Sequence, residues 1–562
     1  MAKKSKFFMI SALILIVVFA LVYFGIKLTS NIGKTDTQVA SEDASKDLTK
    51  LYSSLTVTKA EPVKGQIDLN PADIGESLPD ISKFPITVDH TTDNFVEIFS
   101  STEKSGTGID GWLSEVASDF NKANITIDGK PASVKIRNIA SGTATDYIKS
   151  GKYIPDAFTP SNELWGEMVK SSGVKTQLVT KRLVGNVPGI VIAKSKYDSL
   201  VNKYGSVNVK TLTEAIAGND FSMGYTDPFA SSTGLNFLVT ALNTFDSTNL
   251  LGDKAVKGFE KFQANVPFTA STTIQMREAA KSGRLDGFVL EYQTYVNAED
   301  LKNGYVFTPF GVRHDSPLYA LGDLSKSKQD ILKKFAEFVS EEKYQKAAKE
   351  KGFNNLEDYK SELGAVDGNL LSQAQQLWKE KKNGNKPIAA VFVTDVSGSM
   401  GGEPLNRLKE SLLKGQKYLG KDNSIGLVSY SNDVTINLPI GRYTTNQQSL
   451  FVGAVNSLQA SGGTATFDGI VVALKMLQDE VAAHPDVKPI IFVLSDGETN
   501  QGYSLNDIKG IVETYKIPIY TIGYNANIKA LQSISSINEA ASINADTDDV
   551  VYKIGNLFNV QM

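Results

Sequence analysis

The 562-residue sequence contains no cysteine and only three histidines. The first absence excludes disulfides, thiolate metal sites, cysteine nucleophiles and a cysteine-linked lipid anchor. The second leaves His90, His314 and His484, too few and too scattered for a histidine triad or a zinc site. Other chemistry is missing as well. No GxGxxG follows a strand, no Walker loop is present, and no repeat of solenoid length recurs. Basic residues form no stripe with interleaved aromatics, and the net charge is −4, so nucleic acid is not an expected partner. What remains is ordinary for globular protein, with 41% hydrophobic and 21% charged residues. A chain this long is expected to fold as more than one domain.

Phe7–Ile26 is a charge-free apolar run preceded by Lys3, Lys4 and Lys6. A helix of about 20 residues spans roughly 30 Å, the hydrocarbon thickness of a bilayer. Flanking lysines favour a cytoplasmic N-terminus. The alternative is a cleaved signal peptide, but the apolar run is long and Lys27–Asn31 offers no small-residue cleavage pattern. The expectation is a cytoplasmic segment 1–6, a single-pass anchor 7–28, and an extracytoplasmic remainder. Residues 29–90 are rich in Thr, Ser, Asp and Lys and then in proline, and are expected to be a linker off the membrane, with a short helix near 43–55.

From 91 to 365, short apolar strands alternate with amphipathic helices. Phe95–Phe99 is strand-like and runs into Ser100, Ser101 and Thr102. Trp112, Val116 and Phe120 share one helical face. Val134–Ile139 leads to Ser141 and Thr143, and Asp156–Ser161 repeats the pattern of a strand followed by a hydroxyl, Ser161. Residues 225–234 (YTDPFASSTG) precede an apolar helix, placing Ser231, Ser232 and Thr233 at its start. Helix N-termini carry free N–H groups and suit anions. These hydroxyls are the candidate ligand-binding set for a small polar or anionic molecule. The order resembles the type II extracellular solute-binding proteins of bacterial ABC transporters. That resemblance implies two α/β lobes with a ligand in the cleft. Crossing strands are expected near 187–194 and 286–292. Arg313 is expected to be a surface or interlobe residue.

A helix and linker (366–386) lead to the most informative stretch, Val391–Met400 (VFVTDVSGSM). An apolar strand ends in Asp395, and Ser397 and Ser399 follow at two-residue spacing. Thr464 lies in a Gly-rich loop before a helix, and Thr466 is an alternative to it. Asp496 ends another apolar strand. Hard divalent cations take oxygen ligands in a near-octahedral shell. The set resembles the von Willebrand factor A (VWA) domain and its metal-ion-dependent adhesion site, from 387 to 562. The resemblance implies a Rossmann-like doubly wound sheet with the metal at the strands' C-terminal edge. It implies Asp395, Ser397, Ser399 and Thr464 as ligands, and Asp496 directly or through water. The ion is expected to be Mg²⁺, or else Mn²⁺ or Ca²⁺. Mostly neutral ligands leave it electrophilic, with a position open to a carboxylate of a protein partner. Asp468 is expected to cap the following helix. No general base lies beside these motifs, so no enzyme is expected.

The expected fold is therefore α/β throughout: an N-terminal transmembrane helix, a two-lobed periplasmic-binding-protein-like type II body, then a Rossmann-like VWA domain. The expected function is binding at the cell surface. The alternative is the substrate-binding component of an ABC importer with an accessory VWA domain.

Overall fold

The computed structural model describes residues 36–68, 74–266, 268–270, 276, 285–384, 386–497, 499–524, 529–535, 542–545 and 549–562. The expected anchor, 7–28, lies outside the described residues. Among those described, no helix is long and apolar enough to cross a membrane.

The two expected α/β bodies are present. In the C-terminal body Ile388–Asp395 forms the centre of a seven-stranded sheet. All eight of its residues are buried, as a central parallel strand covered on both faces requires. Ser424–Tyr430 and Lys488–Ser495 flank it in parallel. One face packs Phe392, Phe451, Phe492 and Phe558. The other packs Val391, Val393, Ile491 and Val493 against the helix Thr466–Ala483.

The stretch 29–90, expected to be a linker, is largely folded where it is described. Asp36–Ser53 is a helix against Thr466–Ala483 and Leu505–Tyr515. Leu48 is fully buried there, with Leu51, Tyr52, Leu55 and Val57 packed around the same core. Val57–Lys59 adds a strand to the sheet edge, parallel to Val434–Arg442. Further on, the Gly65 amide donates to the Ser449 carbonyl at 2.7 Å. A Cβ on Gly453 would lie 1.9 Å from the Val63 carbonyl oxygen, so this glycine admits the close approach of the segment. Ile86–Val88 then enters a different sheet. The polar composition conceals an apolar stripe, which this C-terminal body buries. The two-lobed body is thus inserted between the edge strand and the central strand of one sheet.

In the inserted body, one lobe has a six-stranded sheet and the other a five-stranded sheet. Pro188–Ala193 and Gly287–Glu291, the segments expected to cross between lobes, instead pair antiparallel inside the second lobe. The chain crosses one step away, where Asn186 and His314 form an isolated bridge. Continuous apolar character marks a buried strand but not which sheet buries it.

The C-terminal helix Val550–Gln561 joins the bodies. Phe558 packs on Phe392 and Phe492, with centroids 5.1 and 5.0 Å apart. Tyr552 enters the core of the first lobe, and its Oη donates to Thr143 Oγ1 at 2.9 Å. Val560 enters the core of the second lobe beside Trp378.

Candidate functional site

The parallel strands end with their carboxylates on one edge. Asp395 is fully buried. Its Oδ1 accepts from the Ser397 amide at 2.8 Å and its Oδ2 from Ser495 Oγ at 2.6 Å. Ser397 Oγ and Ser399 Oγ lie 3.0 Å apart, and Ser399 Oγ donates to Asp496 Oδ1 at 3.0 Å. Two carboxylates and three hydroxyls therefore form one hydrogen-bonded patch. Burial pushes the Asp395 carboxyl above its ordinary range, the Ser495 and Ser397 bonds pull it back, and the Asp496 charge adds to the rise.

The Gly-rich loop docks on this patch. Gly398 donates to the Gly462 carbonyl at 2.9 Å and Ser461 to the Val396 carbonyl at 2.7 Å. Gly462 has φ +79°, a left-handed conformation that favours glycine. Thr464 is 5% exposed and is held by Asn500, which accepts from its amide at 2.9 Å. Thr464 Oγ1 accepts from Asn500 Nδ2 at 3.5 Å. Two buried hydroxyls in this region, Thr466 Oγ1 and Tyr430 Oη, have no hydrogen-bond partner among the described residues. Tyr430 pairs with Asp395 in the sheet. Asp468 accepts from the Tyr503 amide at 2.7 Å and anchors the neighbouring loop. Asn500 and Ser495 were not distinguished in the sequence, since their roles follow from loop docking. Among the described residues, no group of three or more His, Asp or Glu is placed to hold a metal ion. The donors gathered here are instead mostly hydroxyls, as a hard cation accepts.

The candidate hydroxyls pair within each lobe, and one of them accepts a bond across the lobes. Ser141 Oγ lies 3.4 Å from Ser161 Oγ. Across the lobes, Ser232 Oγ accepts from Trp165 Nε1 at 2.8 Å. Ser231 caps its helix through the Gly234 amide at 3.3 Å and lies 2.9 Å from Thr233 Oγ1. Thr143 is engaged by Tyr552, and Thr102 is exposed. Ser100 Oγ is buried without a partner. A Cβ on Gly142 would lie 2.2 Å from the Phe229 carbonyl oxygen, so the lobes touch directly where a helix begins.

Fixed charges accompany these hydroxyls, contrary to a hydroxyl-dominated cleft. The Lys104 ammonium is fully buried. It donates to Ser101 Oγ and to the Thr159 carbonyl, the latter at 3.0 Å. Glu103 lies 3.4 Å from it. Burial lowers the Lys104 pKa against the pull of Glu103. Burial alone would raise Glu103, but the Lys104 charge and the Ser101 hydroxyl hold it below its usual value. His314 Nδ1 lies 2.7 Å from Glu291 Oε1. Its Nε2 faces Asn162 Nδ2 at 3.0 Å and Asn236 Nδ2 at 3.2 Å. Two amide donors make Nε2 the acceptor and place the proton on Nδ1. Lys104 and Glu291 are too far apart in sequence for spacing to reveal the grouping. Arg313 donates to Asp315 at 3.1 Å and to the Leu356 carbonyl at 2.8 Å, a structural role.

Comparison with known proteins follows the same division. Residues 105–354 match the family model of bacterial extracellular solute-binding protein. Residues 390–557 match that of the von Willebrand factor type A domain. The uncharacterized protein sll0103 of Synechocystis sp. is 27% identical over 25% of this chain and 32% of its own length. Inter-alpha-trypsin inhibitor heavy chain H3 of Bos taurus is 29% identical over 29% of this chain and 20% of its own. The chain thus spans a third or less of these relatives. A periplasmic thiamin binding protein is 11% identical, with a TM-score of 0.38, over 52% of this chain and 99% of its own. The chain therefore carries a solute-binding domain of the bacterial extracellular type followed by a von Willebrand factor type A domain.

Proposed function

We propose that this chain is a membrane-anchored, extracytoplasmic binding protein that grips a protein partner through a divalent cation, without catalysing a reaction. The cation, Mg²⁺ or a similar hard ion, would be held by Asp395, Ser397, Ser399, Thr464 and Asp496. The observation that carries this reading is the Ser399–Asp496 hydrogen bond at 3.0 Å between loops 97 residues apart. Asp395, Ser397, Ser399 and Asp496 adjoin at one sheet edge and the loop that carries Thr464 docks beside them, and of these five side chains only two are charged. Five oxygens leave a near-octahedral ion one position short, so the ion supplies Lewis acidity toward an incoming carboxylate. Calorimetric titration of the full chain with Mg²⁺ and Mn²⁺ tests this. Saturable binding that Asp496→Ala abolishes supports it, and absence of binding refutes it.

The two-lobed body gives a second reading, binding of a small polar molecule between the lobes. Unpartnered, buried Ser100 Oγ and the adjoining Lys104 ammonium favour it. Native mass spectrometry of the purified chain tests it, because a retained small molecule registers as added mass.

A further inference from the structure

A cavity of about 250 Å³ lies where both lobes, the connecting helix Gly368–Lys381 and the C-terminal body come together. It is smaller than the usual pocket for a drug-sized ligand. Asp146 lines it from the first lobe and Asp227 from the second, with Asn556 and Asn559 of the C-terminal helix on a further wall. Phe229, Tyr418 and Tyr552 supply aromatic surface.

Two lysines line it beside the two carboxylates, and each lysine has a contact of its own. Lys417 pairs with Asp68 at 2.7 Å. Lys379 stands over the Tyr418 ring at 5.1 Å. Asp227 is only 3% exposed. Its Oδ1 accepts from the Phe229 amide at 2.9 Å, and among the described residues its second oxygen has no donor. Asp146 is half-buried, and among the described residues its carboxylate has neither a hydrogen bond nor an ion pair. Lys382 and Lys379 act on Asp227 and Lys149 acts on Asp146, but burial outweighs these charges, and a buried carboxylate without a close partner is costly.

We propose that this junction cavity binds a compact organic ammonium ion, held by Asp146 and Asp227 against the aromatic walls and the Asn556 and Asn559 amides. Carboxylates supply the counter-charge and ring faces attract a desolvated cation. A hard divalent ion fits less well, because it demands about six oxygens. Burial pushes Asp146 up to about 7 and Asp227 up to about 6. Lys149 acts on Asp146 from its own helix, and Lys379 and Lys382 act on Asp227. A bound cation draws both carboxyls back to the ionised form, so binding releases protons at pH 6. It also bridges three packed elements and fixes the bodies against each other.

The test is calorimetric titration of the full chain with methylammonium, ethanolamine and choline, with acetate and Mg²⁺ as the contrasting probes. The expected result is saturable binding of at least one ammonium ion, tighter at pH 7.5 than at pH 5.5 by about tenfold or more. Asp227→Asn and Asp146→Asn are each expected to weaken it by about tenfold or more. Both variants should fold, because each keeps the side chain's shape and removes a charge that burial disfavours. A melting temperature at or above wild type at pH 7.5 checks this. No saturable ammonium binding at millimolar concentration overturns the proposal. So does binding unchanged in both variants, or preference for acetate. Mg²⁺ binding that Asp496→Ala leaves intact and Asp227→Asn abolishes would reassign the cavity to metal, also overturning it.

Discussion

Ser399 and Asp496 stand on loops that follow two adjacent parallel strands, and the serine hydroxyl donates to the carboxylate at 3.0 Å. The bond exists because both strands end at the same sheet edge and neither loop carries the chain away from it. It is also the contact a cation would replace, since hydroxyl and carboxylate oxygens would both turn toward the ion.

Asp496→Asn is therefore a cleaner probe of the metal site than Asp395→Ala. Asp395 is fully buried and satisfies Ser495 Oγ and the Ser397 amide. Its removal orphans two donors and costs roughly 1–3 kcal/mol of stability. Asp496 is half-buried and lacks that structural duty. The expected outcome of Asp496→Asn is about a tenfold or greater loss of Mn²⁺ affinity with a melting temperature close to wild type. Titration calorimetry and thermal melts of the same sample separate the two effects.

Much of this edge was legible in the sequence, because the strand–loop spacing at 395–399, 464 and 496 needs only local structure and one shared sheet. The folded role of residues 36–68 was not. Leu48, Leu51, Tyr52 and Leu55 sit among polar residues, and their value depends on a surface more than 400 residues away. The interlobe charges were hidden for the same reason. Lys104 in a polar stretch looks solvated until the fold buries it against Ser101, Thr159 and Pro160. The misplaced crossing strands have a different cause: hydrophobic continuity reports burial, not which of two sheets does the burying.

Leu48→Ala should destabilise the C-terminal body by about 2–5 kcal/mol, the range for a fully buried leucine. Leu48 is 0% exposed and lies on the helix that covers Ile508, Ile511 and Val512. Urea denaturation of the full chain would show a lower midpoint. An unchanged midpoint would mean that the N-terminal helix does not pack there in solution.

Gly142→Ala tests the contact between lobes. A methyl at this position would lie 2.2 Å from the Phe229 carbonyl oxygen and 2.8 Å from Ala230 Cα. Both are backbone atoms and cannot rotate away. Either the lobes part or the protein loses on the order of 1–3 kcal/mol from overpacking. Hydrogen exchange at residues 141–148 and 229–236 is expected to accelerate. Protection identical to wild type would show that the lobes do not touch as described.

Asp227→Asn should change stability in a pH-dependent way with a definite sign. The folded carboxyl titrates at about 6, against a reference of 3.8. Between those values the folded state binds more protons than the unfolded state, so stability falls as pH rises. The cost is complete above pH 6 and absent well below 3.8. Each pKa unit corresponds to about 1.4 kcal/mol. The asparagine carries no charge at any pH and escapes this loss. Wild type and variant should therefore converge near pH 4, while at pH 8 the variant should be more stable by roughly 1–3 kcal/mol. Urea melts at the two pH values measure the difference. A variant less stable than wild type at pH 8 would mean that Lys379 and Lys382 compensate the charge fully, and that the carboxylate holds the junction together instead of straining it.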